Sequence, residues 1–308
     1  MIAIKEINYG NFGRCVQVSN GTVDFVATLD LGPRIIRFGF VGGDNEFFED
    51  VDNKVAENGD DFKEKFDSDI GWKIYGGHRL WAAPEILPRN FYPDNDPVKY
   101  EEIPSGIRLM PPPQKWTNLQ MEMEVTIASD GSVDVTHKIT NIGAWNCEFA
   151  VWALSVMAQN GLEVVPLSAK DTGLSHNRRL IIWPYTNITD KRGYWGDKYA
   201  TVRQDMTATG PFKFGTNCDD GWAAYFNHGN LFVKYFPADG VHYTDGGVNY
   251  ETYTNAHMLE MESLSELKNV APGETITHWE KWKLFANVTP PAADDEAGIS
   301  AVMSKVLG

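Results

Sequence analysis

Apolar and polar residues alternate with a period of two along much of this chain. Residues 121–127 read Met-Glu-Met-Glu-Val-Thr-Ile, Asp130-Gly131 follows as a turn, and residues 133–139 read Val-Asp-Val-Thr-His-Lys-Ile. That pattern predicts a β-hairpin with one buried face. Residues 149–157 are almost wholly apolar, as expected of a strand covered on both faces. Toward the N-terminus, short apolar runs at 15–18, 23–29 and 35–41 are separated by Asn20-Gly21, Gly32-Pro33 and Gly42-Gly43, the punctuation of an antiparallel meander. Further strands are predicted near 180–183, 221–226, 231–236, 258–264 and 277–284. Only the tail reads as helical: after Pro290-Pro291, Asp294-Asp295-Glu296 place negative charge on the first turn of a helix running to about Leu307. No internal repeat and no linker divides the chain. The expectation is an all-β protein, one large antiparallel sandwich spanning 1–308, with its core at about 15–286 and a helical tail at 290–308.

Two stretches break the pattern. Asp and Glu, with Lys interleaved, crowd the segment from Asp50 to Asp69, so residues 44–70 read as a solvated excursion or short surface helix. Residues 76–85, Gly-Gly-His-Arg-Leu-Trp-Ala-Ala-Pro-Glu, gather two glycines, an imidazole, a guanidinium and an indole. The glycines and Pro84 predict a loop there, and loops held on a rigid scaffold commonly carry binding groups.

Composition narrows the partners. A formal charge of −15 without any concentration of Lys and Arg argues against nucleic acid and against an anionic membrane surface. No run of 18 apolar residues predicts a transmembrane helix. The first six residues lack an apolar stretch, so no export signal is expected and cytoplasmic residence is the default. The three cysteines, Cys15, Cys147 and Cys218, are widely spaced and read as reduced packing residues.

Four places give the chain a likeness to a known family. They are residues 19–36, with Ser19-Asn20-Gly21 and Gly32-Pro33-Arg34-Ile35-Ile36; residues 76–81; Thr140-Asn141-Ile142-Gly143; and Met261-Glu262 followed by Pro272-Gly273-Glu274 and residues 277–285. Together they resemble the galactose mutarotase-like superfamily of aldose 1-epimerases, over about residues 15–286. The resemblance implies a β-supersandwich, a small-molecule carbohydrate ligand, no cofactor, and a glutamate base in the closing segment at Glu262. It places the sugar-binding loops from residue 76 onward. One departure stands out. The central-strand histidine that serves relatives as general acid is missing from residues 149–155, Phe-Ala-Val-Trp-Ala-Leu-Ser.

Opening a sugar ring needs a base at the anomeric hydroxyl and an acid at the ring oxygen. Glu262 is the candidate base. A period of two puts Glu260 and Glu262 on one face, where like charges would raise one pKa, unless that face is merely solvated. His78 is the candidate acid because imidazole titrates near neutrality; the plainer alternative is a hydrogen bond holding a loop. Arg79 could grip an anionic sugar or form a structural ion pair, and Trp81 could stack on a sugar or sit in the core. His176 and Arg178, beside Arg179, form a second polar cluster, and His242 and Tyr243 a third. With Asp245 and His257 the third would also suit a metal, although its spacing matches no zinc motif and none is expected. Trp183, Tyr185, Tyr194 and Trp195 offer another aromatic platform. His137 is expected at the surface. No nucleophile elbow, phosphate loop or dinucleotide fingerprint occurs. The sequence thus supports a sugar epimerase or mutarotase, with a non-catalytic carbohydrate-binding protein as the alternative.

Overall fold

The computed structural model describes residues 2–307. Among them, two large antiparallel sheets of eleven and ten strands account for nearly all of the regular structure. The first runs from Ala3–Asn8 at one edge through Arg14–Ser19, Val23–Thr28, Ile35–Phe40, His78–Ala83, Cys147–Met157, Leu259–Leu264, Tyr250–Thr254 and Phe212–Thr216 to Leu180–Ile182. The second is centred on Asn230–Tyr235, Thr275–Ala286, Val133–Asn141 and Leu119–Ile127. The inner faces of the two sheets meet in the main core. Phe38 and Phe47 from one side pack on Phe232 and Trp282 from the other, with ring centroids 5.4–6.1 Å apart.

The predicted hairpin is present as Leu119–Ile127 and Val133–Asn141, with Val125 opposite Val135 and Met123 opposite His137. Its alternation sends Met123, Val125, Val135 and Ile139 inward and leaves Glu122, Glu124 and Lys138 facing out. His137 shares the parity of Val135 and Ile139. It is therefore fully buried, not at the surface as expected from the sequence.

Residues 76–85 are not a loop. His78–Ala83 is a six-residue strand in the middle of the first sheet, buried at every position. The glycines before it serve close packing: Gly76 and Gly77 have φ of 105° and 66°, and a Cβ on either would fall 2.0 or 2.2 Å from a carbonyl oxygen of Phe48 or Ile35. The acidic stretch before it is also less solvated than its charge implies. It forms a helix, Asp60–Phe66, whose Phe62 and Phe66 join Trp72, Trp81 and Trp152 in a second apolar cluster on the outer face of the first sheet. The tail helix, Glu296–Leu307, packs through Ile299 and Met303, one turn apart, onto the outer face of the second sheet.

Between the sheets lies a buried polar network. The His278 carbonyl can only accept, so His137 donates to it from Nδ1 at 3.0 Å. The His137 Nε2 is then an acceptor for the His78 Nε2–H at 2.7 Å, and the His78 Nδ1 accepts from the Ser155 hydroxyl at 2.8 Å. Burial lowers the pKa of all three histidines, consistent with neutral rings. Ligand atoms of His78, His137 and Glu280 lie within 4.8 Å of one another, close enough to invite a cation. The imidazoles, however, already bond each other, and the Lys234 ammonium sits 2.8 Å from Glu280.

Glu163 is buried in the same interior. It accepts from the Tyr250 hydroxyl at 2.6 Å and the Thr252 hydroxyl at 2.8 Å, and desolvation pushes its pKa up to about 8. Its folded pKa exceeds the unfolded value near 4.5, so the native state holds a proton that the unfolded chain has lost. Stability from this group is therefore full below that lower value and lost as pH rises toward 8. The buried histidines act in the opposite sense, but only below about pH 6.5. Urea unfolding between pH 6.5 and 8 should show stability falling, with Glu163 contributing up to about 1.4 kcal/mol per pH unit. Glu163→Gln should flatten that slope.

Candidate functional site

Strand register assembles the site. Arg79 lies opposite Leu154, Leu154 opposite Glu262, and Glu262 opposite Glu251, on four neighbouring strands. In the adjacent row Glu260 lies opposite Tyr253, and Tyr253 opposite Lys213. All of these side chains share the outer face of the first sheet. The helix Asp60–Phe66 and the segments carrying Glu85, Phe91, Trp183 and Tyr185 rise around them. They enclose a cavity of about 300 Å³ walled by Trp72, Trp81, Trp152, Trp183, Tyr185 and Tyr253, with Glu57, Arg79, Glu85, Lys213, Glu260 and Glu262 as its charged groups.

The charges fall into two ion-paired groups. Arg79 Nη1 meets Glu260 Oε1 at 2.7 Å, and its guanidinium lies over Trp81 and Trp72 at 4.4 and 5.5 Å from the ring centroids. Lys213 bridges two carboxylates, Glu251 at 2.8 Å and Glu262 at 3.0 Å, while its ammonium lies 4.8 Å from both Trp152 and Trp183. Burial alone would lower the Lys213 pKa, but Glu251 and Glu262 outweigh it and keep the ammonium protonated. One cation cannot neutralise two buried carboxylates. Desolvation raises the pKa of both, Glu262 well above the usual range, against the opposing pull of Lys213.

Glu262 Oε2 accepts from the Trp152 indole and from Lys213, both at 3.0 Å, whereas its Oε1 is buried without a partner. Arg79 Nε and Trp72 Nε1, on two other residues of the same wall, are also buried and unpartnered. Buried polar atoms are nearly always hydrogen-bonded, so these three orphans, with Glu251 Oε1 beside Glu262, leave unmet polar groups concentrated around this cavity.

Comparison with known proteins bears on the fold. No family model and no curated protein matches the chain. Among solved structures, a Klebsiella pneumoniae protein provisionally assigned as an aldose 1-epimerase is 13% identical, with a TM-score of 0.57 over 99% of this chain and 86% of that one. A galactose mutarotase-like protein from Lactobacillus casei is 8% identical, with a TM-score of 0.54 over 88% and 99%. Another from Clostridium acetobutylicum is 11% identical, with a TM-score of 0.51 over 92% and 99%. The chain has the galactose mutarotase-like fold.

On this mutarotase-like scaffold, the structure brings together Glu262, Glu260, Arg79 and Trp81, but not His78. Adjacent residues of a strand point to opposite faces, so Arg79 enters the cavity while His78 enters the inter-sheet network. The pairing of His78 as acid with Glu262 as base is thereby ruled out. His176 is exposed on a loop outside the cavity, and Arg178 there donates to the carbonyls of Ser168 and Asp197. His242 is exposed, and Tyr243 lines a different cavity, where its hydroxyl accepts from Gly240 N–H. Neither cluster lines the cavity, although Asp245 lies near enough to act on the charges of Glu85 and Glu251, and His242, Asp245 and His257 form no metal-binding group among the described residues.

Sequence reasoning missed Lys213 and Glu251. Each is a charged residue between buried neighbours on a short strand, Phe212-Lys213-Phe214 and Tyr250-Glu251-Thr252. A lone charge in an otherwise apolar run was the available signal.

Proposed function

We propose that this chain binds a sugar in the outer-face cavity and interconverts its epimers by acid and base catalysis, with Glu262 as the base. The observation that carries the reading is Glu262 itself, a carboxylate made more basic by burial that lines a cavity ringed by aromatic side chains. Indole and phenol faces suit the C–H face of a pyranose, and the charged side chains that line the cavity suit its hydroxyls. Glu85, at the rim of the same cavity, is the acid we assign in place of His78. Desolvation and the neighbouring Glu260 raise its pKa against Lys213, so it holds a proton at a higher pH than a free carboxyl. Because Arg79 is already matched by Glu260, it no longer argues for an anion in this cavity, which is suited to an uncharged ring.

The alternative is a carbohydrate-binding protein without catalysis. It is favoured by one observation: among the described residues, no imidazole lines the cavity.

NMR exchange spectroscopy on a panel of aldoses separates the two. Acceleration of anomer exchange over buffer is expected for at least one sugar. Quenching of tryptophan fluorescence by sugar with no acceleration would select the binding protein. Failure of every sugar to bind would overturn both readings. Arg178→Ala and His242→Ala should change binding and exchange by less than about twofold, as for surface positions away from a site.

A further inference from the structure

A second cavity, of about 590 Å³, adjoins the first, and Tyr185 and Pro211 line both. Its character is different. The aromatic wall gives way to Asn187, Thr189, Asp190, Lys191, Arg192, Arg203, Asp205 and Thr207. Three cations face two carboxylates here, in a chain whose net charge is −15.

The carboxylates are already engaged. Asp190 holds Arg192 at 2.8 Å, and Asp205 accepts from the backbone N–H and hydroxyl of Thr207 at 2.8 and 2.7 Å. The cations are not fully engaged. The side chains of Lys191 and Arg203 are exposed and make no hydrogen bond or ion pair among the described residues. Arg192 is 8% exposed, fixed by Asp190, by the Gly210 carbonyl at 2.9 Å and by the Phe212 ring, yet its Nη1 is buried without a partner. A guanidinium fixed in the wall beside two exposed cations without partners is a poor arrangement for an empty surface and a good one for an anionic oxygen. Size points the same way. The first cavity alone lies at the lower bound of the range of about 300–1,000 Å³ typical of small-ligand sites, and the second is larger.

We propose that the second cavity is a ligand subsite, so that the natural ligand extends beyond one sugar ring and carries an anionic group on the part that reaches Lys191, Arg192 and Arg203. This rests on the reading of the first cavity as a sugar site. A carboxylate on a second sugar unit and a phosphate ester share the required chemistry, and the test distinguishes them.

Calorimetric titration of the full chain with glucose, cellobiose, cellobiouronate (glucuronosyl-β-1,4-glucose) and glucose 6-phosphate provides that test, alongside Lys191→Ala and Arg203→Ala. Both substitutions are at exposed positions and should leave the fold intact. Cellobiouronate should bind at least about tenfold more tightly than cellobiose, or glucose 6-phosphate than glucose, and whichever does so identifies the anion's source. The advantage should shrink in both variants and with added salt, while glucose affinity stays unchanged. Equal affinity for charged and uncharged ligands, or indifference of the charged ligand to both substitutions, would overturn the subsite and leave the sugar site standing. Failure of all four to bind would remove both.

Discussion

Replacing Glu262 with Gln is expected to slow sugar exchange by about 10²- to 10⁴-fold, the usual contribution of a positioned general base. The amide keeps the shape of the carboxylate, and its oxygen can still accept from Trp152 and Lys213, which hold Glu262 Oε2 at 3.0 Å each. Sugar binding should therefore persist, and the loss should fall on turnover and not on affinity. Folding should not suffer. Two buried carboxylates share the one Lys213 ammonium, and neutralising one relieves their repulsion. The pH profile supplies a second readout. Desolvation raises the Glu262 pKa, and only the deprotonated form is a base, so the wild-type rate should climb as pH rises through that raised value. The variant should lack the limb. A Glu262→Gln protein that retains half the wild-type rate would remove Glu262 from the mechanism.

Replacing Lys234 with Met should cost about 3–5 kcal/mol of stability, the range for breaking a buried ion pair from one side. Lys234 and Glu280 are both fully buried, with Nζ and Oε1 2.8 Å apart. The ammonium also donates to the carbonyl of Met261, next to Glu262, at 2.9 Å. Without it, Glu280 keeps its bonds from Ser263 and the Trp282 indole but loses its countercharge. Burial lowers the Lys234 pKa and Glu280 pulls it back up, so the pair stands or falls together. Adding Glu280→Gln to Lys234→Met should restore part of the loss in denaturant titrations, because an uncharged residue needs no partner of opposite sign. A Glu280→Gln change that costs as much on top of Lys234→Met as it does alone would mean that the pair carries no coupling.

Much of the architecture was legible in the chain. The hairpin of Leu119–Ile127 and Val133–Asn141 follows from strict alternation, and the apolar run at 149–157 became the doubly covered core of the strand Cys147–Met157. The tail helix lies close to where Pro290-Pro291 and the acidic first turn placed it. Alternation also put Glu260 and Glu262 on one face, as observed. These features depend on near neighbours in sequence, because side-chain direction in a strand repeats every two residues.

The same rule, applied to His78 and Arg79, would have separated them onto opposite faces had the segment been read as a strand. The glycines and Pro84 pointed to a loop, and what overrode them was the packing of Gly76 and Gly77 against Phe48 and Ile35, partners distant in sequence. Likewise, His137 is buried because its face meets the opposing sheet, and Lys213 belongs to the site because Phe212–Thr216 pairs with Tyr250–Thr254. The sequence by itself determined many of the strands, though not His78–Ala83, Phe212–Thr216 or Tyr250–Thr254, and which residues of a strand share a face. Only the tertiary structure decided which faces meet, since strand pairing joins residues more than a hundred positions apart, such as Leu154 and Glu262, and no local pattern encodes that register.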